Sequence, residues 1–129
     1  FPGSTLSAAL STPVPLAGGE VDLYVQQDKF PEQFAADIPP ADAAIAAAEQ
    51  RPIAFSALNE KETAPAWRTI PSYFVYGGKD KTIPPRVHAF MAYRAWSRET
   101  IDIPGASHLV MVSHPQTVAQ LIETAARAR

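Results

Sequence analysis

The sequence predicts an α/β protein in which parallel strands flanked by helices occupy the second half, behind a different first half. Three observations carry this reading. Residues 68 to 129 alternate short apolar runs with amphipathic stretches in the order strand, helix, strand, helix. Both apolar runs stop at turn-forming residues, Gly77-Gly78 and Pro104-Gly105. The composition, 47% hydrophobic and 19% charged over 129 residues, is that of a globular chain about one domain long.

In the first half, Pro13 to Leu16 and Val21 to Val25 read as extended pieces around Gly18-Gly19, a dipeptide suited to the positive φ of a hairpin turn. Phe30 to Phe34 suits a short helix with proline in its first turn, and the alanine-rich run Ala41 to Gln50 a longer one between prolines. Arg51 to Trp67 reads as a connection with one further short helix. In the second half, Pro71 to Tyr76 is an apolar, β-branched and aromatic strand. Pro84-Pro85 opens a helix whose predicted apolar stripe is Val87, Phe90, Met91 and Ala95, with Arg94 on the same side. Glu99 to Ile103 is the second strand. The last helix starts at Ser113 or His114, with Pro115 near its first position, and is predicted to bury Val118, Leu121, Ile122 and Ala125.

A helix between two buried strands is the unit of a parallel sheet. Two such strands are too few for a sheet that is normally covered on both faces, so further strands are expected from chain beyond this sequence. The start at Phe1-Pro2-Gly3, with neither an initiator methionine nor a signal-peptide pattern, gives the same expectation of a longer parent. The expected compartment is the cytoplasm. Charge divides the chain near residue 67: the balance is -6 before it and +4 after it, within a net charge of -2. Neither nucleic acid nor a membrane is expected as a partner from that charge, and no apolar run is long enough to span a bilayer. The absence of cysteine removes disulfides, thiolate metal sites and a cysteine nucleophile.

Open α/β sheets place their sites in loops at the carboxyl ends of strands. Here those loops are Gly77 to Thr82 and Gly105 to His108, offering a carboxylate, Asp80, and an imidazole, His108. Adjacent parallel strands lie about 4.8 Å apart, which puts the two within hydrogen-bond reach. An acid bonded to one ring nitrogen fixes the tautomer and leaves the other nitrogen free to take a proton. The bland alternatives are turn chemistry for Asp80, a solvated mid-helix position for His88 and a helix-start role for His114. His108 and His114, six residues apart, do not match a zinc spacing, and no metal or cofactor is expected. Ser107 and Ser113 do not read as nucleophiles.

The run Arg68-Thr69-Ile70-Pro71-Ser72-Tyr73-Phe74-Val75-Tyr76-Gly77-Gly78-Lys79-Asp80-Lys81-Thr82-Ile83-Pro84 resembles the strand and acid loop of α/β-hydrolases. Pro104-Gly105-Ala106-Ser107-His108 resembles their histidine loop, and Ser113-His114-Pro115 the start of their last helix. The likeness is to the esterase branch that includes the plant hydroxynitrile lyases. It implies the C-terminal part of an α/β-hydrolase fold: a cap subdomain over residues 1–67, then core over 68–129. It also implies that Asp80 is the triad acid and His108 the general base. Phe30, Phe34, Ile83 and Leu109 are the expected contacts of a small apolar ester-like substrate.

The pattern is incomplete. A GxSxG nucleophile elbow and the early oxyanion loop are absent, and in this fold the nucleophile precedes the acid and the histidine. The expected partner is therefore the N-terminal portion of the same hydrolase, bearing the serine, and this chain alone is expected to be inactive. The alternatives are a hydroxynitrile-lyase-like carbon-carbon lyase, with Lys79 or Lys81 as the cyanide-binding cation, and a non-catalytic ligand-binding protein of the same fold.

Overall fold

The structure, a computed structural model, describes residues 2–128; the terminal Phe1 and Arg129 lie outside them. Two sheets divide the chain. In the second half β4 (Tyr73–Gly77) and β5 (Glu99–Ile103) pair in parallel, with Tyr73 opposite Glu99 and Gly77 opposite Ile103. This is the predicted arrangement, with α5 (Pro85–Arg94) as the crossover. Pro84 stands at its N-cap and Pro85 at its first position, where no intrahelical amide bond is lost.

The buried stripe of α5 keeps Val87 and Ala95 of the predicted one, with Met91 at its edge, but not Phe90. Val87, Ala92 and Ala95 are buried and His88 and Met91 half-buried, whereas Phe90 is 58% exposed. The two alanines bring the helix close to the sheet side, which turns Phe90 outward beneath the Arg94 guanidinium. That guanidinium also lies over Trp67, 4.9 Å from its ring centre, so the aromatic side chains are partly sheltered by an arginine stem. The helix ends with Trp96 in the left-handed region at φ 51°, an unusual place for a bulky residue. Ser97 N–H reaches back to the Ala92 carbonyl at 3.0 Å and Trp96 N–H to that of Tyr93 at 3.1 Å, capping the last carbonyls.

A short helix, α6 (Val110–Ser113), precedes α7 (Pro115–Arg127) and was not expected from the sequence. On α7 Leu121 is buried and Val118 and Ala125 half-buried, as predicted, but Ile122 is 62% exposed. Alternating three and four residues, Val118, Leu121 and Ala125 form a narrow stripe, and Ile122 lies about 100° further round the helix.

The first half begins with another unexpected helix, α1 (Leu6–Ala9), followed by β1 (Val14–Pro15) and β2 (Val21–Leu23). These form the predicted antiparallel hairpin, with Gly18 and Gly19 at φ 83° and 85°. Both lie in the region that glycine enters without steric cost. A third strand, β3 (Ile53–Ala54), pairs with the far side of β2. The remaining helices are α2 (Phe30–Phe34), α3 (Pro40–Glu49) and α4 (Phe55–Asn59). The core of this half joins Ala9, Val25, Phe30, Ala35, Ile38, Ala43 and Ala47. On α3 the small side chains Ala43 and Ala47, one turn apart, allow close helix packing, and burying Phe30 contributes roughly 2 to 3 kcal/mol.

The halves are joined at the end where β4 and β5 finish. Ser4 Oγ donates to the Thr82 carbonyl at 2.8 Å, and Thr5 N–H to that of Lys81 at 3.1 Å. Leu109 N–H donates to the Phe34 carbonyl at 3.0 Å.

Candidate active site

The site begins with a glycine that has no room for a side chain. A Cβ on Gly77 would stand 2.1 Å from the Ser107 carbonyl oxygen and 2.4 Å from that of Ala106. The loop after β4 therefore lies directly on the loop after β5. Gly78 N–H donates to the Ile103 carbonyl and Lys79 N–H to that of Ala106, each at 2.9 Å. Gly105, at φ 87°, turns the second loop back towards the first.

This contact brings Asp80 and His108 together: His108 Nδ1 is 2.8 Å from Asp80 Oδ2. The other carboxylate oxygen, Oδ1, accepts the N–H groups of Thr82 at 2.8 Å and Ile83 at 2.9 Å. The turn role and the role toward histidine thus coexist on one side chain, each using its own oxygen. Asp80 is 5% exposed. Burial works against its charge, but hydrogen bonds from His108, His88 and the Ile83 N–H outweigh burial and hold the carboxyl well below the usual range. The pair therefore contains a fixed anion.

His108 is a quarter exposed and meets Phe34 edge-on, with ring centres 4.8 Å apart. With Nδ1 directed at the carboxylate, the neutral ring carries its lone pair on Nε2, which makes no hydrogen bond among the described residues. Phe34 stacks in turn on Phe30, which is 6% exposed and sits in the core behind it, one ring removed from the imidazole. Ile83 and Leu109 are half-buried beside the two loops, and their backbone amides hold Asp80 and Phe34 respectively.

Two residues that sequence reasoning missed belong to this cluster. His88 was expected to be solvated; instead its Nε2 lies 3.0 Å from the same Asp80 Oδ2, its side chain is only 15% exposed, and its ring stacks on Tyr76. The available signal was its place one turn into the helix that Pro84-Pro85 starts just after the acid loop. The second is Asp37. Its Oδ1 accepts both the backbone N–H of Ser107, at 3.0 Å, and the Ser107 hydroxyl. No pattern in the sequence links these positions.

Ser107 is buried, with Asp37 and the Phe34 carbonyl as acceptors for its hydroxyl, and Ser113 lies 2.9 Å from His114 Nδ1. His114 occupies the N-cap of α7, the helix-start position expected of it, 3.7 Å from Asp37 Oδ2. Neither lysine considered for anion binding pairs with Asp80 or His108 among the described residues. Lys81 Nζ pairs with Glu32 at 2.7 Å on the surface, and Lys79 is exposed. Among the described residues no group of three or more His, Asp or Glu is placed to hold a metal ion, and no helix is long and apolar enough to cross a membrane.

The sequence matches the model of the alpha/beta hydrolase family over residues 2–121. No curated protein matches it. Among solved structures the fold is similar to polyneuridine aldehyde esterase, with a TM-score of 0.72 at 16% identity over 89% of this chain and 47% of that one. A methylesterase protein from Arabidopsis gives 0.69 at 14% identity, over 83% of this chain and 47% of the other. A tomato methylketone synthase I variant complexed with beta-ketoheptanoate gives 0.65 at 17% identity, over 82% and 42%. The chain thus spans about half the length of each of these structures.

Proposed function

Since the chain belongs to the alpha/beta hydrolase family, we propose that it supplies the acid and the general base of a serine esterase. The nucleophilic serine and oxyanion donors would lie in the half of the fold that this chain does not span. Residues 1–67 act as the cap and residues 68–129 as the later part of the core. One observation carries the reading: His108 is held through Nδ1 by an ionised, buried Asp80 while its Nε2 has no hydrogen-bond partner among the described residues.

In the reaction, His108 Nε2 takes the serine hydroxyl proton as the oxygen attacks the ester carbonyl. Asp80 keeps the tautomer and stabilises the imidazolium. Collapse of the tetrahedral intermediate expels the alkoxide, which receives the proton from His108 and leaves as the alcohol. Water, deprotonated by the same nitrogen, then attacks the acyl carbon, and as the bond to serine breaks the proton returns from His108 to the serine oxygen and the acid leaves. Phe34, edge-on to His108, with Ile83 and Leu109 beside the loops, would form an apolar wall for a small neutral ester. The esterase and methylesterase named among the similar structures support that substrate class. The lyase alternative lacks such support: of its two candidate cations Lys81 pairs with Glu32 and Lys79 is exposed.

The test is fluorophosphonate labelling of the full-length protein, read by intact mass. A single adduct on a serine upstream of this segment, lost in His108→Ala, is the expected result. No adduct in a folded protein would replace the esterase with the ligand-binding alternative.

A further inference from the structure

His88 is the one imidazole in the cluster that the esterase mechanism leaves without a task. It does not sit at a distance from the chemistry: His88 Nε2 at 3.0 Å and His108 Nδ1 at 2.8 Å share the same oxygen, Asp80 Oδ2. Oδ1 is already filled by the Thr82 and Ile83 amides, so the carboxylate's orientation is fixed without His88. For both rings to bond an ionised oxygen, each must donate. Neutral His88 is therefore the Nε2–H tautomer. Its geometry is set from two sides, by the α5 backbone and by Tyr76, whose ring lies parallel to it at 4.9 Å.

We propose that His88 is a positioning residue of this site: it shares Asp80 Oδ2 with His108 and limits how strongly the carboxylate supports the His108 imidazolium. An oxygen that accepts two N–H donors gives each a weaker bond than it would give one. The two rings draw on a single negative charge through one oxygen. A general base works best when it is neither too weak to take the proton nor too strong to return it, and a shared acid moderates that strength. Among the described residues the titratable groups in contact with the two rings are Asp80 from the loop after β4 and Tyr76 from β4, while Phe34 from α2 is the uncharged ring against His108. Asp37 and His114 meet the neighbouring Ser107 and Ser113. No lysine or arginine among the described residues pairs with Asp80; Lys81 pairs with Glu32.

This inference rests on the esterase reading, and its test separates the two. In the full-length enzyme, His88→Phe keeps a flat ring against Tyr76 but removes the donor, while His88→Gln keeps an N–H donor that does not titrate. In His88→Phe the acidic limb of the kcat/KM profile is expected to move to higher pH by about half a unit or more, with KM changed less than about twofold. His88→Gln is expected to return the limb to within about a fifth of a unit of the wild type. An unmoved limb in folded His88→Phe, or an equal displacement in His88→Gln, overturns the proposal. A second measurement is independent of turnover. In wild-type protein the long-range nitrogen NMR spectrum should show His88 as the Nε2–H tautomer, and the low-field His108 Nδ1 proton should move further downfield in both His88→Phe and any variant that removes the donor. The Nδ1–H tautomer at His88 overturns the proposal even if the His88→Phe variant does not fold. A protein without esterase activity that still shows the tautomer and the proton displacement removes the esterase reading and leaves the shared oxygen standing.

Discussion

Two aspartates hold histidine-bearing loops in this molecule, and they do so in opposite ways. Asp80 sits at the end of β4, 5% exposed, with both oxygens occupied: two amides on Oδ1 and two imidazoles on Oδ2. Asp37, between α2 and α3, spends Oδ1 on the backbone and hydroxyl of Ser107, and among the described residues its Oδ2 has no hydrogen-bond partner, with His114 at 3.7 Å. The first arrangement leaves an imidazole nitrogen free beside the joint of the two halves. In the second, the histidine nitrogen nearest the acid bonds a serine instead. The difference lies in what each acid anchors: Asp80 orients a ring, whereas Asp37 fastens the loop that carries that ring. A similar residue list therefore serves proton transfer in one place and attachment in the other.

The largest effects should separate the two pairs. In the full-length protein, His108→Ala is expected to lower ester turnover by roughly 10³-fold or more, and Asp80→Asn by orders of magnitude through the wrong tautomer. His114→Ala should change kcat less than about threefold, as surface substitutions away from the reacting groups do. Steady-state kinetics on an aryl ester checks all three. An equal loss in His114→Ala would end the contrast.

Next in size is the backbone contact beneath both. Gly77→Ala would place a methyl within 2.4 Å of two carbonyl oxygens, so the loops must part. A cost of about 3 kcal/mol or more in denaturant unfolding is expected, since neither neighbour is a flexible side-chain end. Asp37→Ala comes below it. Losing the acceptor leaves the buried Ser107 amide and hydroxyl with fewer partners, at a cost of about 1 to 3 kcal/mol. Asp37→Asn, which keeps an acceptor oxygen, should recover most of that stability. Turnover in folded Asp37→Ala should fall far less than in His108→Ala.

The contact between Asp80 and His108 was legible because strand ends and glycines place their two loops side by side. The parallel pairing of β4 and β5 followed from the same pattern. Local patterns could not reveal Asp37, whose partner lies 70 residues away and is chosen by how α2 packs against the second loop. His88 was misread for a subtler reason. The stripe on α5 was placed by spacing through Phe90, while the buried face runs through Val87, Ala92 and Ala95 and so turns His88 inward. Ile122 on α7 was misplaced because it adjoins the buried Leu121 in the helical spacing, on a face wider than the one buried. Alanines tell little in a hydrophobicity pattern, yet they decide how closely a helix can approach.

The smallest effect sharpens the contrast between the acids through pH. Both carboxyls are held below their ordinary range: burial opposes ionisation in each, and His108 and His88 outweigh it at Asp80 as Ser107 does at Asp37. A carboxyl whose folded pKa is depressed contributes stability that is fully present above its unfolded value, about 3.9. That contribution is lost as the pH falls through the folded value, because the unfolded state then binds the proton first. Each acid can add at most about 1.4 kcal/mol per pH unit to the slope. Chemical denaturation measured from pH 5 down to pH 3 should therefore show stability falling with pH. Asp80→Asn should flatten that slope more than Asp37→Asn, since it removes the anion with partners on both oxygens. The reverse order would mean that the loop attachment, and not the imidazole pair, is the stronger charge trap in this fold.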